Sequence, residues 1–112
     1  MYKRQALILL ARIDGEPAGC IAYRRFNANT AEAKRLWVQP QFHRHGVGDQ
    51  LLTRVIEEIK AAGFESMVFD TLPKMQNALR LYQKHGFQRR DAYHSSPIPG
   101  VLYFEKNFRD RR

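Results

Sequence analysis

Cysteine is almost absent. Cys20 is the sole one in 112 residues, which excludes an internal disulfide. It lies in an apolar segment, so the expected state is a buried, inert thiol. Long apolar runs are also missing. No stretch approaches the ~18 residues of a spanning helix. The apolar residues 6–11 are short and lack a cleavage-type ending, so they do not read as a signal peptide. These absences point to a cytoplasmic protein. Acidic residues are scarce, with 11 Asp and Glu against 19 Lys and Arg, a formal net charge of +8. That excess attracts anions, among them nucleic acids and phosphorylated cofactors. Part of it sits in the tail Arg109-Asp110-Arg111-Arg112, which reads as solubilising a frayed end. Internal repeats, low-complexity segments and linkers are absent too. Hydrophobic residues make up 44% of the chain and charged residues 27%, enough for a packed core, and the length suits one domain over residues 1–112.

The pattern of what is present predicts strands and helices in turn. Residues 6–13 read as a short buried strand, and Asp14-Gly15-Glu16-Pro17 as the turn of an antiparallel hairpin with residues 18–26. Residues 31–38 form a third strand, with Glu32, Lys34, Leu36 and Val38 on one face and Ala33, Arg35 and Trp37 on the other unless a bulge disturbs its end. Val47, Leu51, Leu52, Val55, Ile56, Ile59 and Ala62 recur at three- and four-residue spacing, a helical stripe that must face a sheet. Gly63 ends that helix. Residues 66–70 are a buried strand, parallel to the third because a helix separates them. A second helix spans roughly 74–84, with Met75, Ala78, Leu79 and Tyr82 on one stripe. Phe87 to about Tyr93 and residues 101–106 are strands flanking a loop. The class is α+β, with a mixed, mostly antiparallel central sheet.

Between the third strand and the first helix lies Trp37-Val38-Gln39-Pro40-Gln41-Phe42-His43-Arg44-His45-Gly46-Val47-Gly48. Pro40 ends the strand's pairing. The turn that follows is basic, carries two glycines and opens a helix, whose first N–H groups lack intrahelical partners and whose dipole favours an anion. This is a cradle for a pyrophosphate. A dinucleotide is excluded, because the third glycine of that fingerprint would fall on Leu51. The phosphate-binding lysine motif of nucleotide hydrolases is absent. His43 and His45 make a poor metal site without nearby carboxylates or thiolates, and no metal is expected. Tyr23, Trp37, Tyr93 and Tyr103 alternate with basic residues, a pattern that permits stacking on nucleic acid; a core role for Trp37 and pocket-lining roles for the others are the preferred reading.

A second stretch, Asn77-Ala78-Leu79-Arg80-Leu81-Tyr82-Gln83-Lys84-His85-Gly86-Phe87, changes the reading of the first. Together they resemble the GNAT superfamily of acetyl-CoA-dependent N-acetyltransferases. The family's pyrophosphate turn, Arg/Gln-x-x-Gly-x-Gly/Ala, is similar to His43-Arg44-His45-Gly46-Val47-Gly48, and its later motif is similar to Asn77 through Phe87. The resemblance implies that backbone amides of His43, Arg44, His45, Gly46, Val47 and Gly48 hold the pyrophosphate of acetyl-CoA. It implies that Trp37 and Val38 pair with the pantetheine arm, that Asn77 touches it, and that Tyr82 protonates the departing thiolate. Glu32, six residues before Val38, matches the glutamate base of the histone-acetylating branch. Read from its residues alone, Glu32 is equally a salt-bridge partner for a nearby Arg or Lys.

The chain departs from the family at His43, at Arg44 in place of a glycine, and at Asp49, which phosphates would repel. It also begins at what resembles the family's second strand, without the first strand and two helices. The surface those helices cover implies a homodimer. The implied function is acetyl transfer to a primary amine of a small molecule or peptide, with nucleic acid and membrane partners disfavoured. The alternative is a non-catalytic module, on a degenerate GNAT fold, that binds CoA or nucleic acid.

Overall fold

The computed structural model describes residues 5–108, and the basic tail 109–112 lies outside them. Strands β1 (Ala6–Ile13) and β2 (Glu16–Arg25) form the expected hairpin, and β3 (Thr30–Val38) runs antiparallel to β2. Between β2 and β3 the Asn27 carboxamide oxygen accepts the N–H groups of Asn29 and Thr30 at 2.9 and 3.0 Å, a side-chain substitute for a backbone turn. A single 3-10 turn, Pro40–Phe42, leads to helix α1 (Val47–Ala61), strand β4 (Ser66–Thr71), helix α2 (Gln76–Lys84) and strands β5 (Gln88–Arg90) and β6 (Leu102–Asn107). The sheet order is β1-β2-β3-β4-β6-β5. One pair, β3 with β4, is parallel; the others are antiparallel. No helix among the described residues is long and apolar enough to cross a membrane.

The helical stripe lands as its period requires. Val47, Leu51, Leu52, Val55, Ile56 and Ile59 are buried, each worth roughly 1.5–3 kcal/mol relative to exposure. They share a core with Ile21, Tyr23, Ala31, Ala33, Met67, Phe69 and Phe104 from one face of the sheet, and with Tyr82 from α2. Both helices therefore cover the same face. The other face carries Ile8 and Leu10 of β1, Arg24 of β2, Glu32 and Lys34 of β3, and Val68 and Asp70 of β4, aligned by the strand registers.

That one-sided cover corrects three expectations. Strand β1 is not buried: Ile8 is 76% and Leu10 52% exposed, because β1 is an edge strand and only its alternate residues meet the core. Cys20 is half-buried, its thiol directed to the Arg35 carbonyl at 3.5 Å. Trp37 is 52% exposed and not core. The cause is a bulge. Cys20 pairs with Trp37 but Ala22 with Lys34, so Arg35 and Leu36 together oppose Ile21. Arg35 takes φ +62° to make room, and the alternation slips by one. Trp37 thereby joins Lys34 on the open face, while Val38 turns to the helix side. Two further elements are shorter than expected. Helix α2 starts at Gln76 after a turn in which the Met75 N–H reaches the Leu72 carbonyl, and Met75 is exposed. Strand β5 is three residues long because its exposed arginines have only β6 to pair with.

Gly19 sets how closely β2 and β3 approach past the bulge. It pairs with Val38, and a Cβ there would stand 2.5 Å from the Trp37 carbonyl oxygen. Backbone must move to admit it. Gly19→Ala is expected to destabilise the fold by about 1–3 kcal/mol, read as a lowered urea midpoint with unchanged m-value.

Candidate active site

The turn before α1 holds two left-handed residues, Arg44 (φ 73°) and Gly46 (φ 74°), and Gly46 is the N-cap. A side chain at Gly46 would find open space, so its glycine answers to backbone conformation alone. The His43 N–H is spent on the Pro40 carbonyl and the His45 N–H on the Phe42 carbonyl, both at 3.2 Å. The N–H groups of Arg44, Gly46, Val47, Gly48 and Asp49 have no backbone acceptor among the described residues. The free donors are thus four of the six expected, plus Asp49, at the positive end of a fifteen-residue helix. Asp49, unusual beside an anion, is drawn off by α2: its carboxylate accepts from Lys84 and, at 2.6 Å, from the His85 ring. Those two bonds hold its pKa below the ordinary carboxylate value. The His43 ring nitrogen lies 3.1 Å from the Val38 carbonyl oxygen, so that oxygen is already engaged.

The parallel pairing of β3 with β4 lasts only three residues, Thr30–Glu32 against Ser66–Val68. Beyond it the strands part, and a cavity of about 210 Å³ opens between them. Lys34, Arg35 and Leu36 line one side, Asp70, Thr71 and Leu72 the other, and Tyr82, Leu52 and Phe69 the base. The end of β3, the turn and α2 meet one another outside that lining: a Cβ on Gly48 would lie 3.4 Å from Leu81 and 3.7 Å from Val38. Tyr82 reaches this cavity because of how α2 ends. Gly86 (φ 80°) lets the Gly86 N–H bond Gln83 and the Phe87 N–H bond Tyr82, both at 3.0 Å. This Schellman closure folds Phe87 back toward Tyr82, and both rings pack on Phe69. Burial, with the charge of Asp70 adding to it, pushes the Tyr82 phenol up to about 12. It keeps its proton at neutral pH.

On the open face Glu32 is 2% exposed, and its hydrogen-bond and ion-pair partners among the described residues are all donors. Arg24 Nε lies at 3.1 Å, Lys34 Nζ at 3.5 Å and the Tyr93 hydroxyl at 2.8 Å. Burial pushes the Glu32 carboxyl up, but the Tyr93 and Arg24 hydrogen bonds and the Lys34 and Arg24 charges outweigh it and hold the pKa below 4.5. The same contact, after burial itself, raises Tyr93. Beside this group His94 Nε2 bonds Asp70 Oδ2 at 2.7 Å, and its Nδ1 faces the Ser95 carbonyl at 2.7 Å. Those two acceptors raise the His94 pKa. Glu32, Asp70 and His94 offer ligand atoms within 4.8 Å of one another. Two cations and a phenol already occupy the Glu32 carboxylate, which argues against a metal centre.

The structure thus brings the turn, Val38 and α2 together, with Tyr82 at the base of the cavity. Asn77 is exposed and accepts a bond from Arg80, outside the cavity lining. Tyr23 and Tyr103 are buried and offer no stacking face; Tyr23 is core, not pocket lining. Sequence reasoning missed Asp70, Tyr93 and His94 as one group. Asp70 at the end of a parallel strand was the available signal; the loop residues carried none, since only the fold brings residue 93 to residue 32.

Free backbone amides at a helix N-terminus thus stand close to a gap between two splayed parallel strands. Residues 2–87 match the family model described as the acetyltransferase (GNAT) family. An uncharacterized N-acetyltransferase of Schizosaccharomyces pombe is 36% identical over 99 residues, 87% of this chain and 61% of that protein. An IAA acetyltransferase of Azospirillum brasilense is 33% identical over 108 residues, 95% of this chain and 71% of that protein. A GNAT family acetyltransferase from Elizabethkingia anophelis, solved with acetyl-CoA bound, superposes with a TM-score of 0.78 at 26% identity, over 92% of this chain and 76% of that one. The chain belongs to the GNAT family. It spans somewhat less than two thirds of the Schizosaccharomyces relative's length.

Tyr93→Phe removes one donor from a buried charge, and the expected loss is about 1.5–3 kcal/mol of stability at pH 7. Because the folded Glu32 pKa is depressed, its stabilisation is complete above 4.5 and fades as pH falls through the lower folded value. The gap between wild type and Tyr93→Phe in urea titrations should therefore narrow in acid. A gap that stays constant all the way down to acid unfolding contradicts this.

Proposed function

We propose that this chain is an N-acetyltransferase, moving the acetyl group of acetyl-CoA to a primary amine by direct attack. The observation that carries the reading is the cavity between the splayed ends of β3 and β4, floored by Tyr82 and next to a turn with free amides. The fit to acetyl-CoA is chemical: unpaired N–H donors at a helix N-terminus suit a pyrophosphate, and the β3 edge past the bulge, unpaired toward β4, suits an extended amide-bearing arm. In this reading the N–H groups of Arg44, Gly46, Val47 and Gly48 hold the pyrophosphate, backbone groups of Trp37 and Val38 face the arm, and His43, His45 and Asn77 border it. Acetyl-CoA supplies an activated thioester. The backbone N–H near Val38 polarises its carbonyl.

Tyr82 stands as the acid. A phenol at about 12 is a weak donor to a thiolate whose free thiol titrates near ~8.5. Its proton transfer is therefore coupled to its own reprotonation by the amine. The first amine proton goes to a carboxylate of the open face or to a water held there. Glu32 is one such carboxylate, although its donors compete for the proton. An amine acceptor approaching from the open face meets this group first. A second copy of the chain covering Ile8, Leu10 and Trp37 fits that apolar surface, and the half-buried lone thiol suits the reducing cytoplasm.

Three measurements test the reading. Calorimetric titration of acetyl-CoA should give saturable binding, and thiol release should appear with at least one member of an amine panel. Tyr82→Phe keeps the ring packing; it should leave the acetyl-CoA Kd within about twofold and lower kcat by about 10²-fold or more. Unchanged turnover removes the acid role, and binding without thiol release from any amine favours the non-catalytic module. Sedimentation equilibrium should show a dimer, and Ile8→Lys with Leu10→Lys should shift it toward monomer. A wild-type chain that stays monomeric at every concentration removes the pairing.

A further inference from the structure

The open face holds three groups that could take the acceptor's proton: Glu32, His94 and Asp70. Their surroundings separate them. Glu32 is 2% exposed and accepts from Arg24, Lys34 and Tyr93, so an incoming ammonium neither reaches it nor finds a free oxygen. His94 is more accessible, but both its ring nitrogens face acceptors, Asp70 Oδ2 and the Ser95 carbonyl. That arrangement suits the protonated ring and leaves no lone pair to offer. Asp70 differs from both. It is 32% exposed, it lines the cavity between β3 and β4 while Glu32 does not, and His94 takes only its Oδ2. Oδ1 has no hydrogen-bond partner among the described residues. Its charge is felt by Tyr82, the group at the base of the same cavity that the reading above makes the acid.

We infer that Asp70 is the carboxylate that receives the acceptor's ammonium and takes its first proton, and that His94 is the positioning residue that holds Oδ2 and leaves Oδ1 free to accept. The inference rests on the acetyltransferase reading. The ammonium gives one proton to Asp70 Oδ1, which frees the nitrogen's electron pair. That pair forms the C–N bond at the acetyl carbonyl carbon, and the C–S bond breaks with its electrons on sulfur. Tyr82 gives its hydroxyl proton to that sulfur. The second proton lost by nitrogen returns to the Tyr82 oxygen, and the first leaves Asp70 for solvent. One ammonium and one thioester become one amide, one thiol and one solvent proton. Placing the carboxylate at the end of β4 also predicts that uncharged nucleophiles, such as alcohols, dock poorly.

The test compares Asp70→Asn with Glu32→Gln, each checked for a native circular dichroism spectrum and assayed where it is fully folded. Thiol release is followed with butylamine, tyramine, spermidine and lysine amide. Binding of the best of these amines to the dead-end complex with CoA is followed by calorimetry; butylamine serves if none turns over. Asp70→Asn should lower kcat/KM at least 100-fold and weaken the amine in the CoA complex at least tenfold, with the acetyl-CoA Kd within twofold of wild type. Glu32→Gln should lose less on both counts. His94→Gln should raise KM for the amine more than it lowers kcat. If Asp70→Asn stays within threefold of an active wild type, or Glu32→Gln loses more, the inference fails while the acetyltransferase reading stands. If wild type binds acetyl-CoA but neither binds nor acetylates any of these amines, that reading fails and the inference falls with it.

Discussion

The structure depends on a pairing that stops. Strands β3 and β4 share three residue pairs and then separate. A continuous parallel ladder would satisfy every backbone group in both strands and leave no room between them. The bulge at Arg35 prevents this: an extra residue bends β3 and adds twist, while Gly19 lets β2 follow the bent strand at a distance no Cβ permits. A left-handed arginine is disfavoured by roughly 1–2 kcal/mol, and the surrounding pairing of β2 on both sides of the bulge holds it there. The cavity, the free β3 edge and the position of Tyr82 at the base all follow from that separation.

Around the gap the two sheet faces divide the chemistry. The helix face brings backbone donors at the start of α1 and the aromatic group of Phe69, Tyr82, Phe87 and Phe104. It suits an anion and an apolar arm. The open face brings Glu32, Asp70 and His94, with the loop after β5 tied down by Tyr93 on Glu32 and His94 on Asp70. It suits a cation. A chain of net charge +8 gathers two carboxylates on this face, and spends two of its cations, Arg24 and Lys34, on the buried one.

Asp49 illustrates how a residue that looks wrong in one dimension is accommodated in three. Next to a phosphate cradle a carboxylate repels. In the fold it leans to the end of α2, where Lys84 pairs with it and the His85 ring bonds it, and it becomes a tie between the two helices that border the site. Trp37 is the converse case. In sequence it reads as a core residue in preference to a stacking face, and a one-residue slip in the alternation of β3 leaves it in solvent.

By itself the sequence determined the elements with strong periodicity and the local chemistry of short motifs. The stripe from Val47 to Ile59, the hairpin at Asp14-Gly15 and the Schellman end at Gly86 depend on contacts within a few residues, so residue order decides them. The turn with its free amides was legible for the same reason, and with the Asn77–Phe87 motif it sufficed for the family. Tertiary structure alone decided what lies between distant segments: that both helices cover one face and leave Ile8 and Leu10 exposed, that β3 bulges at Arg35, and that Tyr93 and His94 meet Glu32 and Asp70 across 61 and 24 residues. Those pairings are set by strand register and by which loop packs over which face, and no local pattern encodes either.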